Sequence, residues 1–447
     1  MPSNTEKEPS TAHHTDALTP GGLGRIMGRR FRLTITAGPG EGHHAVSESD
    51  VVVVGTHASA NFILQDAAVS RFHCELRLSA DTVVLRDLQS LNGTHVDGVP
   101  VIEAPLRNGA IIALGRTQLR FDLDVEPAAV PVSTRKRFGL AIGRSPAMAK
   151  LFALLERVAA TDATVLIEGE TGTGKELVAE SLHNEGARRA APFMVVDCGA
   201  IPRDLLESEI FGHERGSFTG ALTAREGAFE AASGGTLFLD EIGELSPELQ
   251  PKILRALERR EIKRVGSNHY TKVDVRLIAA TNRNLREEVN SQKFRPDLYY
   301  RVAVVEVRLP PLRDRREDFP LLIEHILASL EASTRPEADL LRRPQVIAEL
   351  LRHSWPGNVR ELRNYIERSL ALSDTAPPLS TESEDQQPEV NAHLPLKNAR
   401  EKWVGSFERR YLEELLRRNG DNVTAAARAA GVARNHFYRL LWRYSLR

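Results

Sequence analysis

The chain has 447 residues, of which 27% are charged and 41% hydrophobic, and its formal net charge is −1. Those values describe a soluble globular protein of about three domains and exclude a polyanion-binding surface spread over the whole chain. The two cysteines, Cys74 and Cys198, stand far apart, which excludes a disulfide scaffold and a cysteine-rich zinc site and fits a reducing cytoplasm.

Residues 1–29 are polar and read as disordered; they lack the apolar core of a signal peptide. No apolar run approaches the roughly 18 residues that span a bilayer, so a cytoplasmic protein without a membrane partner is expected. Residues 30–125 read as a small β-sandwich. Leu119, Phe121 and Leu123 alternate with Gln118, Arg120 and Asp122, the period of a half-buried strand. Val51 to Val54, Phe62 to Leu64, Thr82 to Leu88 and Ile111 to Leu114 are further short β-rich runs, separated by turns such as Asn92-Gly93, Asp97-Gly98 and Asn108-Gly109. Residues 126–138 carry prolines and no apolar period, so a linker is predicted there.

Strand and helix patterns alternate from 139 to 312, which predicts a parallel sheet with helices on both faces. Val165 to Ile167, Met194 to Val196, Thr236 to Leu239 and Leu277 to Ala280 are the buried-strand candidates. Residues 313–372 turn helical. Between the first strand and the next helix stands Gly169-Glu170-Thr171-Gly172-Thr173-Gly174-Lys175-Glu176. Glycines let backbone N–H groups curl around phosphate oxygens at the positive end of a helix, and Lys175 would reach the β- and γ-phosphates. Glu176 replaces the usual Ser/Thr, and taken alone the segment also reads as a Gly-rich turn with an incidental lysine. The apolar strand Thr236 to Leu239 ends in two carboxylates. Asp240 is placed to hold Mg²⁺ and Glu241 to polarise an attacking water. A lone Asp-Glu is commonly a solvated turn; after a phosphate loop the catalytic reading is favoured. Glu214 to Ala221 places Phe218 in a glycine-flanked polar loop. Either the ring stays exposed for a partner or it packs back locally.

Residues 373–396, rich in Pro, Ser and acid, read as a second linker. Residues 397–447 carry 12 Lys/Arg against 5 Asp/Glu, a local charge of +7. Trp403, Phe407, Tyr411 and Leu415 recur every four residues on one helical face. Asp421 to Arg447 reads as helix, turn at Gly431, helix. Arg434, Asn435, His436, Tyr438 and Arg439 on the second helix are available for DNA, the alternative being a basic hairpin for protein contact.

The middle region resembles the central AAA+ domain of sigma-54-dependent activators, the bacterial enhancer-binding proteins. The phosphate loop with Glu176 has the form that family uses. Leu140 to Ser145 resembles its adenine-seating segment, and Ala280-Thr281-Asn282 its sensor I, which implies that Asn282 watches the γ-phosphate. Trp355 to Leu362 resembles sensor II, with Arg360 reaching the nucleotide from the lid. Phe294 to Arg301 resembles the arginine-finger segment, which implies that Arg295 and Arg301 enter a neighbouring subunit's site and that the chain works as a hexamer-like ring. Glu214 to Ala221 resembles the GAFTGA loop with Ser217 for Ala, which implies that Phe218 and Thr219 grip sigma-54. Asp197 stands where many members have Asn, at a position thought to hold the catalytic Glu in check.

Val69-Ser70-Arg71-Phe72-His73, Leu91-Asn92-Gly93-Thr94 and Gly55 resemble a forkhead-associated (FHA) domain, a reader of phosphothreonine. The resemblance implies that Ser70 and Arg71 contact phosphate and Asn92 the peptide backbone, with His73 a buried structural residue. Thr56 stands where that family has a phosphate-binding arginine, so weakened capture is expected. The C-terminus resembles the Fis-type helix-turn-helix. The expected fold is thus multidomain: an FHA-like β-sandwich, an α/β AAA+ ATPase with helical lid, and an all-α helix-turn-helix. The expected function is ATP- and Mg²⁺-dependent activation of sigma-54 RNA polymerase from enhancer DNA, under a Ser/Thr kinase or phosphothreonine-protein signal. A repressor without sigma-54 activity is disfavoured by the intact loop, and a phosphoprotein scaffold by the full hydrolysis set.

Overall fold

Short alternating strands close the N-terminal region into two facing sheets. A computed structural model describes residues 23–79, 82–218 and 221–372, with Leu412, Val423, Ala427, Ala430, Phe437 and Leu441. The strands are β1 (Leu23–Ala37), β2 (His44–Val46), β3 (Val51–Gly55), β4 (Phe62–Ile63), β5 (Cys74–Ser79), β6 (Thr82–Asp87), β7 (Thr94–Val96), β8 (Val99–Val101), β9 (Glu103–Leu106), β10 (Ile111–Leu114) and β11 (Thr117–Ser133). One sheet has the order β2-β1-β11-β10-β7-β8 and the other β4-β3-β5-β6-β9. Phe31, Leu33, Phe62, Leu76, Leu85, Ile112, Leu119 and Phe121 fill the space between them. The predicted alternation at 118–123 is the inward and outward period of β11.

Two boundaries differ from expectation. Residues 23–29, expected to be disordered, and 126–133, expected to be linker, are the two strands of one antiparallel ribbon, in register from Leu23↔Ser133 to Gly28↔Ala128. Pro127 and Pro131 are compatible with this pairing. In a two-stranded ribbon both strands are edges, where a residue without an N–H is tolerated. Val130 and Val132 supply the β-branched side chains that favour the extended form.

Five parallel strands form the second layer system, in the order Phe193–Asp197, Thr236–Asp240, Arg276–Thr281, Val165–Glu168, Val305–Arg308. Every residue of Val165–Glu168 and Arg276–Thr281 is buried, as in a sheet covered on both faces. Ser145 caps the helix Pro146–Ala159 by accepting a hydrogen bond from Met148 N, with proline at the helix start. Helices Phe319–Ser329, Pro336–Leu341, Pro344–Leu350 and Asn358–Leu372 follow the sheet. The buried Trp355 joins them, its indole N–H donating to the Leu350 carbonyl at 2.7 Å.

The chain divides into compact units at 1–377 and 378–447. In the second, Leu412, Val423, Ala427, Phe437 and Leu441 are helical and buried, the last four as two pairs spaced four residues apart. Arg434, Asn435, His436, Tyr438 and Arg439, like the linker expected at 373–396, lie outside the described residues. Among the described residues no helix is long and apolar enough to cross a membrane.

Candidate nucleotide site and its flanking loops

The phosphate loop leaves the end of strand Val165–Glu168 and turns into helix Lys175–Asn184. Gly172 (φ +78°) and Gly174 (φ +103°) adopt the left-handed backbone that closes the loop. Gly172 also lets the lid approach: a Cβ there would stand 2.2 Å from the Gly357 carbonyl oxygen. The loop borders a cavity of about 580 Å³ lined by Thr171 to Val178, Asp197, Asp240, Glu241 and Arg360. Leu140, Ala141, Ile142, Met148, Leu309 and Ile326 make its apolar side, the expected place for a flat heterocycle.

Lys175 is nearly buried; its Nζ donates to the Gly169 carbonyl at 3.1 Å and lies 3.4 Å from Glu241. Glu241 sits at φ +50°, an uncommon conformation for a residue with a side chain. Its carboxylate accepts from Asn282 N at 3.1 Å, and Asn282 Nδ2 donates to Thr171 Oγ1 at 3.3 Å, so sensor I, the loop and Glu241 form one set. Asp197 lines the same cavity, and its Oδ1 accepts from Gly199 N and Ala200 N in the turn that follows its strand. Burial raises the pKa of Asp240, and the Glu241 and Asp197 carboxylates push it the same way, against the Glu241 amide and Lys175. A carboxylate so crowded, with hard oxygen neighbours, fits a divalent cation such as Mg²⁺.

Several residues of this set were not singled out from sequence. Asn358, buried at φ +53°, ties lid to loop: its Nδ2 donates to Glu170 Oε2 and the Thr171 carbonyl, each at 3.1 Å, and its Oδ1 accepts from Leu312 N. Arg313 holds Glu170 through two hydrogen bonds of 2.9 and 2.5 Å. Arg315, also buried, donates to the Thr173 carbonyl at 3.1 Å. Glu170, one of the phosphate-loop residues expected at the nucleotide, thus also anchors the lid. A basic run such as Arg313 to Arg316 ordinarily reads as a solvated face, which hid this role.

Arg295 and Arg301 are not in the lining of this cavity. Arg295 caps the start of the short helix Pro296–Val302 and is forked onto Asp297 at 2.7 and 3.0 Å, and Arg301, in the last turn of that helix, donates to the Leu257 carbonyl at 3.1 Å. Phe218 does both: the residue is 39% exposed, while its ring meets the His213 ring in a T-shaped contact with centroids 5.0 Å apart. Thr219 lies outside the described residues.

In the sandwich, a Cβ on Gly55 would lie 2.0 Å from the Arg71 carbonyl oxygen, so only glycine lets β3 pass that loop. His73 is fully buried; its Nδ1 accepts from Ser70 N and its Nε2 meets the Gly93 carbonyl at 3.1 Å, fastening two loops together. Burial lowers its pKa, which favours the neutral ring that this pattern requires. Ser70 Oγ accepts from Leu91 N at 2.9 Å, Asn92 Nδ2 donates to the Ala68 carbonyl at 2.7 Å, and Arg71 is exposed beside them. Thr56→Arg in the full chain is expected to tighten phosphothreonine-peptide binding by about tenfold, since a charge-assisted contact contributes roughly 1.5–3 kcal/mol before ordering costs. Calorimetry against the same peptide without phosphate checks it, and equal affinity for both peptides in that variant refutes a phosphate pocket.

Residues 141–308 match the family model for the sigma-54 interaction domain, 313–390 that for the AAA+ ATPase lid domain, and 52–115 that for the FHA domain. The transcriptional regulatory protein ZraR of Escherichia coli K12 is 45% identical over 322 residues, covering 69% of each chain. The Nif-specific regulatory protein of Bradyrhizobium diazoefficiens is 53% identical over 232 residues, 52% of this chain and 40% of its own. Among solved structures, NtrX of Brucella abortus in complex with ATP superposes with a TM-score of 0.51 at 37% identity, over 69% of this chain and 70% of its own.

Proposed function

The chain belongs to the family of sigma-54-dependent transcriptional regulators, and on that premise we propose that it is an enhancer-binding activator that uses ATP to open sigma-54 RNA polymerase complexes at promoters. It is an AAA+ ATPase with an FHA domain. The observation that carries the reading is the assembly of Lys175, Glu241, Asn282 and Thr171 at one end of the cavity, with Arg360 on its lid side. Lys175 and the loop amides would hold the β- and γ-phosphates, and Arg360 would sense the same phosphates. Asp240 would hold Mg²⁺, which neutralises phosphate charge, and Glu241 would take the proton of the attacking water. Arg295 and Arg301, absent from their own cavity lining, would complete a neighbour's site in a hexamer-like ring.

Phe218 and Thr219 would contact sigma-54 as the nucleotide state changes. The basic C-terminal segment would bind enhancer DNA through Arg434, Asn435, His436, Tyr438 and Arg439, most of its positive charge meeting phosphates. Ser70, Arg71 and Asn92 would bring in a Ser/Thr kinase signal as a phosphothreonine peptide. The test is open-complex formation at a sigma-54 promoter with purified components. Thr219→Ala is expected to keep ATP hydrolysis and DNA binding yet lose open complexes by at least about tenfold, the scale of one lost contact network. Full promoter opening by that variant removes the loop from its role.

A further inference from the structure

Glu75 stands on strand β5 between Cys74 and Leu76, which face the sandwich core, so its own side chain faces outward. It is nevertheless only 1% exposed. The α/β domain covers it. Arg308 Nη2 lies 3.5 Å from Glu75 Oε2 and 2.9 Å from Glu168 Oε2, the residue that leads into the phosphate loop.

The same covered face continues over residues 285–302. Asn290 Nδ2 donates to two sandwich carbonyls, Phe72 at 2.5 Å and Leu88 at 2.7 Å. Phe72 meets Tyr299 edge-on at 5.3 Å, and His57 stacks on Tyr300 at 4.0 Å with the rings 10° from parallel. Arg86 pairs with Glu287 at 2.9 Å. Val53, Phe72 and Leu88 share one buried cluster with Leu285, Val289 and Tyr299. The sandwich thus rests, through the loops around its recognition residues, on the helix that carries Arg301 and on the helix before it.

The helix Pro296–Val302 has seven residues. A helix that short has little stability of its own, so its direction is set by what it packs against. Leu298, Tyr299 and Val302 pack inward, and Tyr300, immediately before Arg301, packs on His57. Arg301 itself donates to the Leu257 carbonyl, and the His57–Tyr300 stack is what the sandwich adds to the contacts that set the side from which Arg301 leaves the helix.

We propose that the β-sandwich is a positioning element of the ATPase: His57 and Phe72, with Asn290 and Tyr300 across the interface, hold the arginine-finger helix at the angle that lets Arg301 reach a neighbouring subunit. The proposal rests on the in-trans reading of Arg301 and adds what aims it. These residues touch no nucleotide; they act through the backbone of the finger helix. A misplacement of about 1 Å at a reacting group costs as much as about 100-fold in rate, so loosening this support is felt in turnover rather than in binding.

The test uses the full-length chain, with kcat and KM for ATP measured at protein concentrations where the wild type is fully assembled. His57→Ala and Tyr300→Ala are each expected to lower kcat about tenfold with KM for ATP within about twofold of wild type. Because they remove the two halves of one stack, the double variant should lose no more than either single variant. Tyr300→Phe keeps the ring and drops a buried hydroxyl that has no hydrogen-bond partner among the described residues, so it should retain full kcat. Asn290→Asp, equal in size but unable to donate to two carbonyls, should match the alanine variants and guards against a stack variant that fails to fold. Unchanged kcat in the soluble single variants, losses that multiply in the double, or a Tyr300→Phe as impaired as Tyr300→Ala each overturns the proposal. Arg301→Ala in the same assay separates the two readings. If it keeps wild-type turnover, the finger reading fails; if it abolishes turnover while the interface variants do not alter kcat, the positioning role alone fails.

Discussion

Glu241→Gln is expected to lower ATP turnover by about 10²- to 10⁴-fold while leaving ATP binding intact. The amide keeps the size of the side chain and an oxygen to accept from Asn282 N, which Glu241 now receives at 3.1 Å. What it loses is the basic oxygen that would take a proton from water. Lys175→Ala should fail differently. Its ammonium lies in the phosphate loop, 3.1 Å from the Gly169 carbonyl, and its loss should weaken ATP binding itself. Titration with a fluorescent ATP analogue, beside single-turnover hydrolysis, separates the two. Wild-type turnover in Glu241→Gln would remove that residue from catalysis.

Arg301→Ala is expected to reduce hydrolysis by about 10³- to 10⁵-fold, the range for a lost arginine finger, with nucleotide affinity nearly unchanged. Affinity survives because Arg301 does not line its own subunit's cavity. Mixing this variant with Lys175→Ala should restore part of the activity. In a mixed ring, an intact Lys175 site then meets an intact Arg301 from its neighbour. Under conditions where subunit exchange is demonstrated, an inactive mixture would place the finger in cis or elsewhere.

The nucleotide side of the molecule was legible in the sequence because its chemistry is local. Glycines at 172 and 174, a lysine after them and two carboxylates at a strand end are each read within a few residues. The sandwich and the parallel sheet were legible from period alone. Strand Val305–Arg308 was not among the candidates, because Val305-Glu306-Val307-Arg308 alternates like a surface strand. Its charges are half-buried and paired all the same: Arg308 meets Glu75 and Glu168, and Glu306 takes the Tyr299 hydroxyl at 2.5 Å and the Arg286 guanidinium. A charge such as Arg308, covered by partners on distant segments of the chain, leaves no local mark. The same holds for Asn290 with Phe72, and for Asn358 with Glu170. Residues 126–133 differ for the opposite reason: their prolines are a strong local signal for a linker, overridden by pairing of 128–133 with residues 23–28.

That ribbon changes the arithmetic of every contact the sandwich makes. Its end at Ser133 is bonded to Glu156 on the first helix of the α/β domain at 2.7 Å, so the two domains are joined by a short strap rather than a long tether. Short connections give effective concentrations in the millimolar range. Contacts that would be too weak to hold two free proteins together, such as one ring stack and one two-carbonyl amide, are then sufficient within the chain. A free partner that needs the docked loops must therefore outcompete a resident ligand at millimolar strength, whereas one that needs only the exposed Arg71 at their rim need not.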